Sequence, residues 1–170
     1  MELLTGTLFE LGYLGNLGNL GYLLIAGLLV IFFIDLEHQI IPDQIVFPLS
    51  LTFFFNALIT NYYLLITNLL PSAVIFALFF YFLHFVTKGK GMGLGDVKFA
   101  FLIGLFFGFP SALVAFYLAF LTGAIVGSIL ILVKKARFGQ PIPFGPFLAS
   151  GSILTLFFQD QFLWILKNFF

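Results

Sequence analysis

Between Asp43 and Lys88 the chain runs for 44 residues without a formal charge, and three further runs separate Glu10 from Asp35 (24 residues), Lys98 from Lys134 (35) and Arg137 from Asp160 (22). About 20 apolar residues span a bilayer as a helix, so the longest run holds two crossings and the others hold at least one each. Inside lipid every backbone polar group has to be satisfied internally, which leaves helices or closed barrels. The alternating polarity of a barrel strand is absent. The sequence therefore predicts an all-α polytopic membrane protein, a bundle of about six transmembrane helices with a glycine-broken loop-helix element. Residues 1–170 read as a single transmembrane domain, with no room for a sizeable soluble one.

Seven basic and seven acidic residues cancel, so the chain has no nucleic-acid footprint. It has no cysteine, which excludes a disulfide or a cysteine-ligated metal. Met1 to Gly21 contains no Lys or Arg, unlike the basic front of a cleavable signal peptide, and is expected to stay attached.

The first span is expected over about Leu20 to Ile34, with the Gly15-Asn16 and Gly18-Asn19 steps loosening any helix before it. Asp35 to Asp43 forms the first polar connection, where Pro42 disfavours helix at Ile41 and Asp43 caps the next span, about Gln44 to Ile59. Asn61 to Asn68 reads as an uncharged turn, and Pro71 suits the first turn of a third span ending near Val86. A short fourth helix, Val97 to Gly108, follows the glycine run. A fifth spans about Ser111 to Val133, with Gly123 and Gly127 at a spacing that lets helices approach closely. The sixth covers about Phe147 to Phe158, followed by a tail in which Trp164 and Lys167 suit a membrane interface. Alternating crossings bring the loops at Asp35, Lys88/Lys90 and Lys134/Lys135/Arg137 to one face. That face holds five of the seven basic residues and is expected to be cytoplasmic, with the N-terminus outside.

Two acids on that face stand out. Asp35 ends the first span and Asp96 closes Gly91-Met92-Gly93-Leu94-Gly95-Asp96, 61 positions later and two full crossings on. Ionisable groups at membrane depth are expensive and mark function by default. Two carboxylates at close range share a proton and titrate as a unit, one acting as base towards a water while the other donates to a carbonyl oxygen. Such a pair hydrolyses a peptide bond without metal, cofactor or nucleophile. A side-chain-poor glycine loop can offer backbone groups to an extended peptide.

Plainer readings stand beside this one. Asp96 is equally placed to be the N-cap of Val97 to Gly108. Asp35 is as able to pair with Lys88 or Lys98 as with Asp96. Asp43 is either a cap or the catalytic partner in place of Asp35. His38 reads as a loop residue, since a metal site with Asp35, Glu37 and Asp43 has no partner histidine nearby. His84, alone in an apolar helix, reads as a packed polar residue.

Three ordered segments, Asp35-Leu-Glu-His-Gln-Ile-Ile-Pro42-Asp43, Gly91-Met-Gly-Leu-Gly-Asp96-Val-Lys98 and Ile142-Pro-Phe-Gly-Pro-Phe147, resemble the type IV prepilin peptidases, bacterial aspartyl proteases of the inner membrane. The resemblance implies cleavage of type IV prepilins and type II secretion pseudopilins at the cytoplasmic face, after a glycine that ends a short basic leader. By motif match the catalytic aspartates fall on Asp35 and Asp96. Gly93, Gly95, Glu37, Asp43 and Lys98 are candidate substrate contacts, with the two acids suited to a basic leader. No cofactor is implied. Family members typically carry an additional N-terminal region associated with methylating the new N-terminus. Met1 to Gly21 does not match it, so methyltransferase activity is not expected of these residues, and the sequence reads as a peptidase-only form, a trimmed piece of a longer chain or an archaeal-type preflagellin peptidase. Outside this family, a small proton- or cation-coupled transporter would also use intramembrane acids and a broken helix, and a scaffold of a secretion complex would need neither acid.

Overall fold

The computed structural model describes residues 2–89, 91–134 and 143–169, with the side chains of residues 2–19, 159–160 and 162–169 outside that description. Six helices make up the described residues: α1 (Glu2–His38), α2 (Asp43–Thr60), α3 (Tyr62–Val86), α4 (Leu94–Phe107), α5 (Ser111–Leu132) and α6 (Gly145–Phe169). Four stretches, Leu20–His38, Asp43–Thr60, Tyr62–Val86 and Ser111–Leu132, are long and apolar enough to cross a membrane. The chain is a multi-pass, all-α membrane protein.

Several boundaries differ from expectation for identifiable reasons. The glycine-asparagine steps do not interrupt α1, which is continuous from Glu2. Its far end runs beyond Ile34, so Asp35 sits in the last helical turn and not in the connection. The helix stops when Gln39 enters the left-handed region (φ 54) while its N–H still bonds to the Asp35 carbonyl. Between α2 and α3 only Asn61 is non-helical, because its side chain accepts the Leu64 N–H at 3.0 Å and starts the next helix at once. The third helix therefore begins nine residues before Pro71. Leu65–Leu69 winds as a π turn just ahead of that proline, and such wider turns accommodate a break in the regular ladder. In α6 the backbone departs from helix at Phe158 (φ −118, ψ 15), where the sequence ends its sixth span. Lys90, Lys135, Arg137 and Ile142, and the side chains of Trp164 and Lys167, lie outside the described residues.

Lipid supplies no hydrophobic drive between helices, so close packing and small residues hold such a bundle together. The backbone-to-backbone approaches are at Gly104 and Gly151, not at the expected Gly123 and Gly127. A Cβ on Gly104 would lie 2.7 Å from Ala73 Cα, joining α4 to α3, and one on Gly151 would lie 2.6 Å from the Ala115 carbonyl oxygen, joining α6 to α5. Gly123 instead faces the rings of Phe144 and Phe147 at 3.4 Å. The short α4 touches α2, α3, α5 and α6, whereas α1 packs on α6 and α2. At the end of the bundle where the α1–α2 and α3–α4 connections meet, the chain leaves a cavity of about 550 Å³.

Candidate active site

The buried stripe of α1 runs through Leu24, Leu28 and Ile31, and Asp35 is its next member. On α4 the buried stripe Ala100 and Ile103 begins, one turn earlier, at Asp96. Residues four apart lie on one helix face, so each helix that buries its apolar stripe also turns its acid inward. Asp35 and Asp96 are only 4% and 8% exposed and both line the cavity. Asp96 lies close enough to Asp35 to sense its charge. No cation among the described residues lies within ion-pairing distance of Asp35.

Each carboxylate has a distinct setting. Asp96 is the third residue of α4, not its N-cap; the cap is Gly93, in extended conformation. The Gly93 N–H donates to Asp96 Oδ2 at 3.0 Å, the half of a capping box that a glycine permits. The carboxylate is thereby oriented by the same glycine segment that delivers it. Asp35 Oδ2 is buried with no hydrogen-bond partner among the described residues. The backbone of Gly145, at the start of α6, packs against it so closely that a Cβ there would lie 2.5 Å from Oδ2.

The remaining predicted residues divide. Gly93, Gly95, Asp43 and Lys98 line the cavity, while Glu37 does not and is exposed beside His38. Gly95 is in the first turn of α4, where a Cβ would meet Ile41 of the α1–α2 connection at 3.0 Å. Asp43 makes no cap bond, as Pro42 occupies the N-cap of α2. Its carboxylate instead receives Lys98 Nζ at 2.7 and 2.8 Å, and the same ammonium stands 5.5 Å from the centre of the Phe47 ring. Lys98 therefore pairs with Asp43 and not with Asp35. Sequence reasoning missed Pro143 and Phe144, which close the cavity from the α6 side, and the contact of Gly145 with Asp35. The Pro-Phe-Gly-Pro run was the available signal, a helix start whose glycine permits a close neighbour.

The sequence profile described as "Type IV leader peptidase family" matches residues 22–128. Among curated proteins, the prepilin leader peptidase/N-methyltransferase of Pseudomonas aeruginosa is 36% identical over 82% of this chain and 49% of its own length. The protein of the same name from Stutzerimonas stutzeri is 36% identical over the same shares, and that from Aeromonas hydrophila is 33% identical over 84% of this chain and 50% of its own. The chain spans about half the length of the curated relatives it matches. No solved structure matches it. These likenesses do not favour a transporter.

Proposed function

The chain belongs to the type IV leader peptidase family, and on that premise we propose that it is an aspartyl endopeptidase that removes the short basic leader of type IV prepilins and type II secretion pseudopilins. The observation that carries this reading is the convergence of Asp35 and Asp96, from helices two crossings apart, as buried side chains on one cavity. With one proton shared between them, the ionised carboxylate takes a proton from a water while the protonated one donates to the scissile carbonyl oxygen. The water oxygen adds to the carbonyl carbon. As the C–N bond breaks, a proton passes to the leaving amine, and the pair returns to its singly protonated state. The reading concerns peptide cleavage alone.

Gly93 and Gly95 are proposed to lie along the extended cleavage segment, since neither presents a side chain to block it. Asp43 and Lys98 at the cavity wall and Glu37 outside it are proposed contacts for the leader. We also place the protein in the inner membrane, with the cavity facing the cytoplasm, because five of the seven basic residues fall in the sequence between α3 and α4 and between α5 and α6, the two connections whose described residues Gly89, Gly91, Pro143 and Phe144 line the cavity. The whole of residues 1–170 is taken as one peptidase domain.

The test uses purified full chain in detergent and a synthetic prepilin peptide, with products read by mass. Wild type is expected to release the leader, and Asp35→Asn and Asp96→Asn, correctly inserted and folded, are expected to release none. Unchanged processing by Asp96→Asn overturns the assignment.

A further inference from the structure

His84 lies in the last turn of α3 and holds the glycine-rich segment with both its backbone and its ring. Its carbonyl accepts the Gly89 N–H at 2.9 Å, and its Nδ1 stands 2.7 Å from the Met92 carbonyl oxygen. A carbonyl oxygen only accepts, so the ring donates from Nδ1. The Met92 carbonyl and the Gly93 N–H belong to one planar peptide unit, and that N–H is the donor to Asp96 Oδ2 at 3.0 Å. A single peptide plane is therefore held at its oxygen by His84 and at its nitrogen by Asp96. Rotating it breaks both bonds together. A donor on the carbonyl oxygen also polarises the unit and strengthens its N–H as a donor.

Ordinary packing explains only part of this. The ring stacks on Tyr81 with centroids 6.4 Å apart and lies beside Gly89. Those contacts need an aromatic shape but no proton aimed at Met92.

We propose that His84 is a positioning residue for Asp96: its imidazole fixes the Met92–Gly93 peptide so that the Gly93 N–H holds the Asp96 carboxylate in its orientation at the cavity. The proposal rests on the peptidase reading for its effect on catalysis, but not for its effect on the loop.

Two amide substitutions separate donor from bulk. In His84→Asn the side-chain nitrogen falls near the place of Nδ1, whereas in His84→Gln it falls near that of Nε2, out of reach of Met92. A donor role predicts that His84→Asn keeps kcat on a prepilin peptide within about threefold and that His84→Gln lowers it roughly tenfold, with KM within twofold for both. A packing role predicts the reverse order, because glutamine fills more of the histidine's volume, and that order overturns the proposal. Hydrogen exchange of the Gly93 amide, followed by mass spectrometry, reads the same link without activity: faster by roughly tenfold in His84→Gln and near wild type in His84→Asn. Equal exchange in the three proteins overturns the proposal as well. Should wild type cleave no prepilin peptide, the peptidase reading fails and the exchange rates still decide the role of His84. His84→Phe, which keeps the ring packing and loses the donor, is expected to behave as His84→Gln and replaces it if that variant does not fold; wild-type exchange in His84→Phe overturns the proposal.

Discussion

Lys98 Nζ bridges both carboxylate oxygens of Asp43, at 2.7 and 2.8 Å, and so ties the start of the second turn of α4 to the first turn of α2. The side chains of Lys98 and Asp43 remain 38% and 50% exposed, so the pair is screened and contributes about 1 kcal/mol at most. It also neutralises Asp43, so that under the proposed reading Glu37 is the stronger attraction for a basic leader. Asp43→Asn is therefore expected to stay folded, with kcat on a prepilin peptide within about threefold of wild type. A loss of catalysis as complete as that of Asp96→Asn would move the catalytic role from Asp35 to Asp43.

The contact of Gly104 with Ala73 predicts where the bundle tolerates no bulk. Gly104→Val puts a branched side chain where even a Cβ would lie 2.7 Å from Ala73 Cα, and overpacking of this kind costs about 1–3 kcal/mol. Gly123→Ala meets only ring atoms at 3.4 Å, an ordinary contact that flexible side chains can yield to. Thermal unfolding in detergent is expected to show a lowered midpoint for Gly104→Val and little change for Gly123→Ala. The opposite ranking would restore Gly123 as the packing glycine.

At the other end of the bundle Asn68 donates to the Phe109 carbonyl at 3.0 Å and accepts the Phe109 N–H at 2.6 Å. Asn68→Ala removes both bonds, at a cost of about 1–3 kcal/mol, from a site remote from the cavity. The unfolding midpoint should fall while kcat on a prepilin peptide stays unchanged. An equal loss of both would mean that this turn sets the geometry of the acids.

Because the chain has no native cysteine, single cysteines report its topology. Lys88→Cys is expected to react with an impermeant maleimide only after the inner membrane is opened, and Asn61→Cys in intact spheroplasts. Both positions are exposed in the fold. Reversed labelling would turn the cavity away from the cytoplasm.

How much of this was legible follows from what an apolar chain encodes. The uncharged runs and Pro42 mark the crossings, and an even number of crossings between Asp35 and Asp96 is enough to bring them to one face. The phase of each helix is hidden, because lipid-facing and protein-facing positions are equally apolar. Leu28 is fully buried while Leu29 and Val30, next to it, are 44% exposed, and nothing in residue type separates them. The pairing of Lys98 with Asp43, the bond from His84 to Met92 and the choice of Gly104 over Gly123 all depend on that phase. The sequence nonetheless holds Asp35 in register with Leu24, Leu28 and Ile31, a signal readable only once one face is known to be buried.

Gly145 offers the sharpest test of the site, because its backbone occupies the space directly against Asp35. Gly145→Ala would bring a methyl group to 2.5 Å from Oδ2 and 3.0 Å from the carboxyl carbon, nearer than real carbon atoms approach. The clash is with the end of a flexible side chain, so the Asp35 carboxylate is expected to swing away while α6 keeps its place. A displacement of about 1 Å in a reacting group costs on the order of 100-fold in rate. The substitution is at the first residue of α6, where alanine is a better helix former than glycine, so the helix itself is not weakened. The expected outcome is a folded protein whose kcat on a prepilin peptide falls about 100-fold, with thermal unfolding close to wild type. Cleavage within twofold of wild type would show that Asp35 has no need of the position it holds, and would count against its place in the dyad.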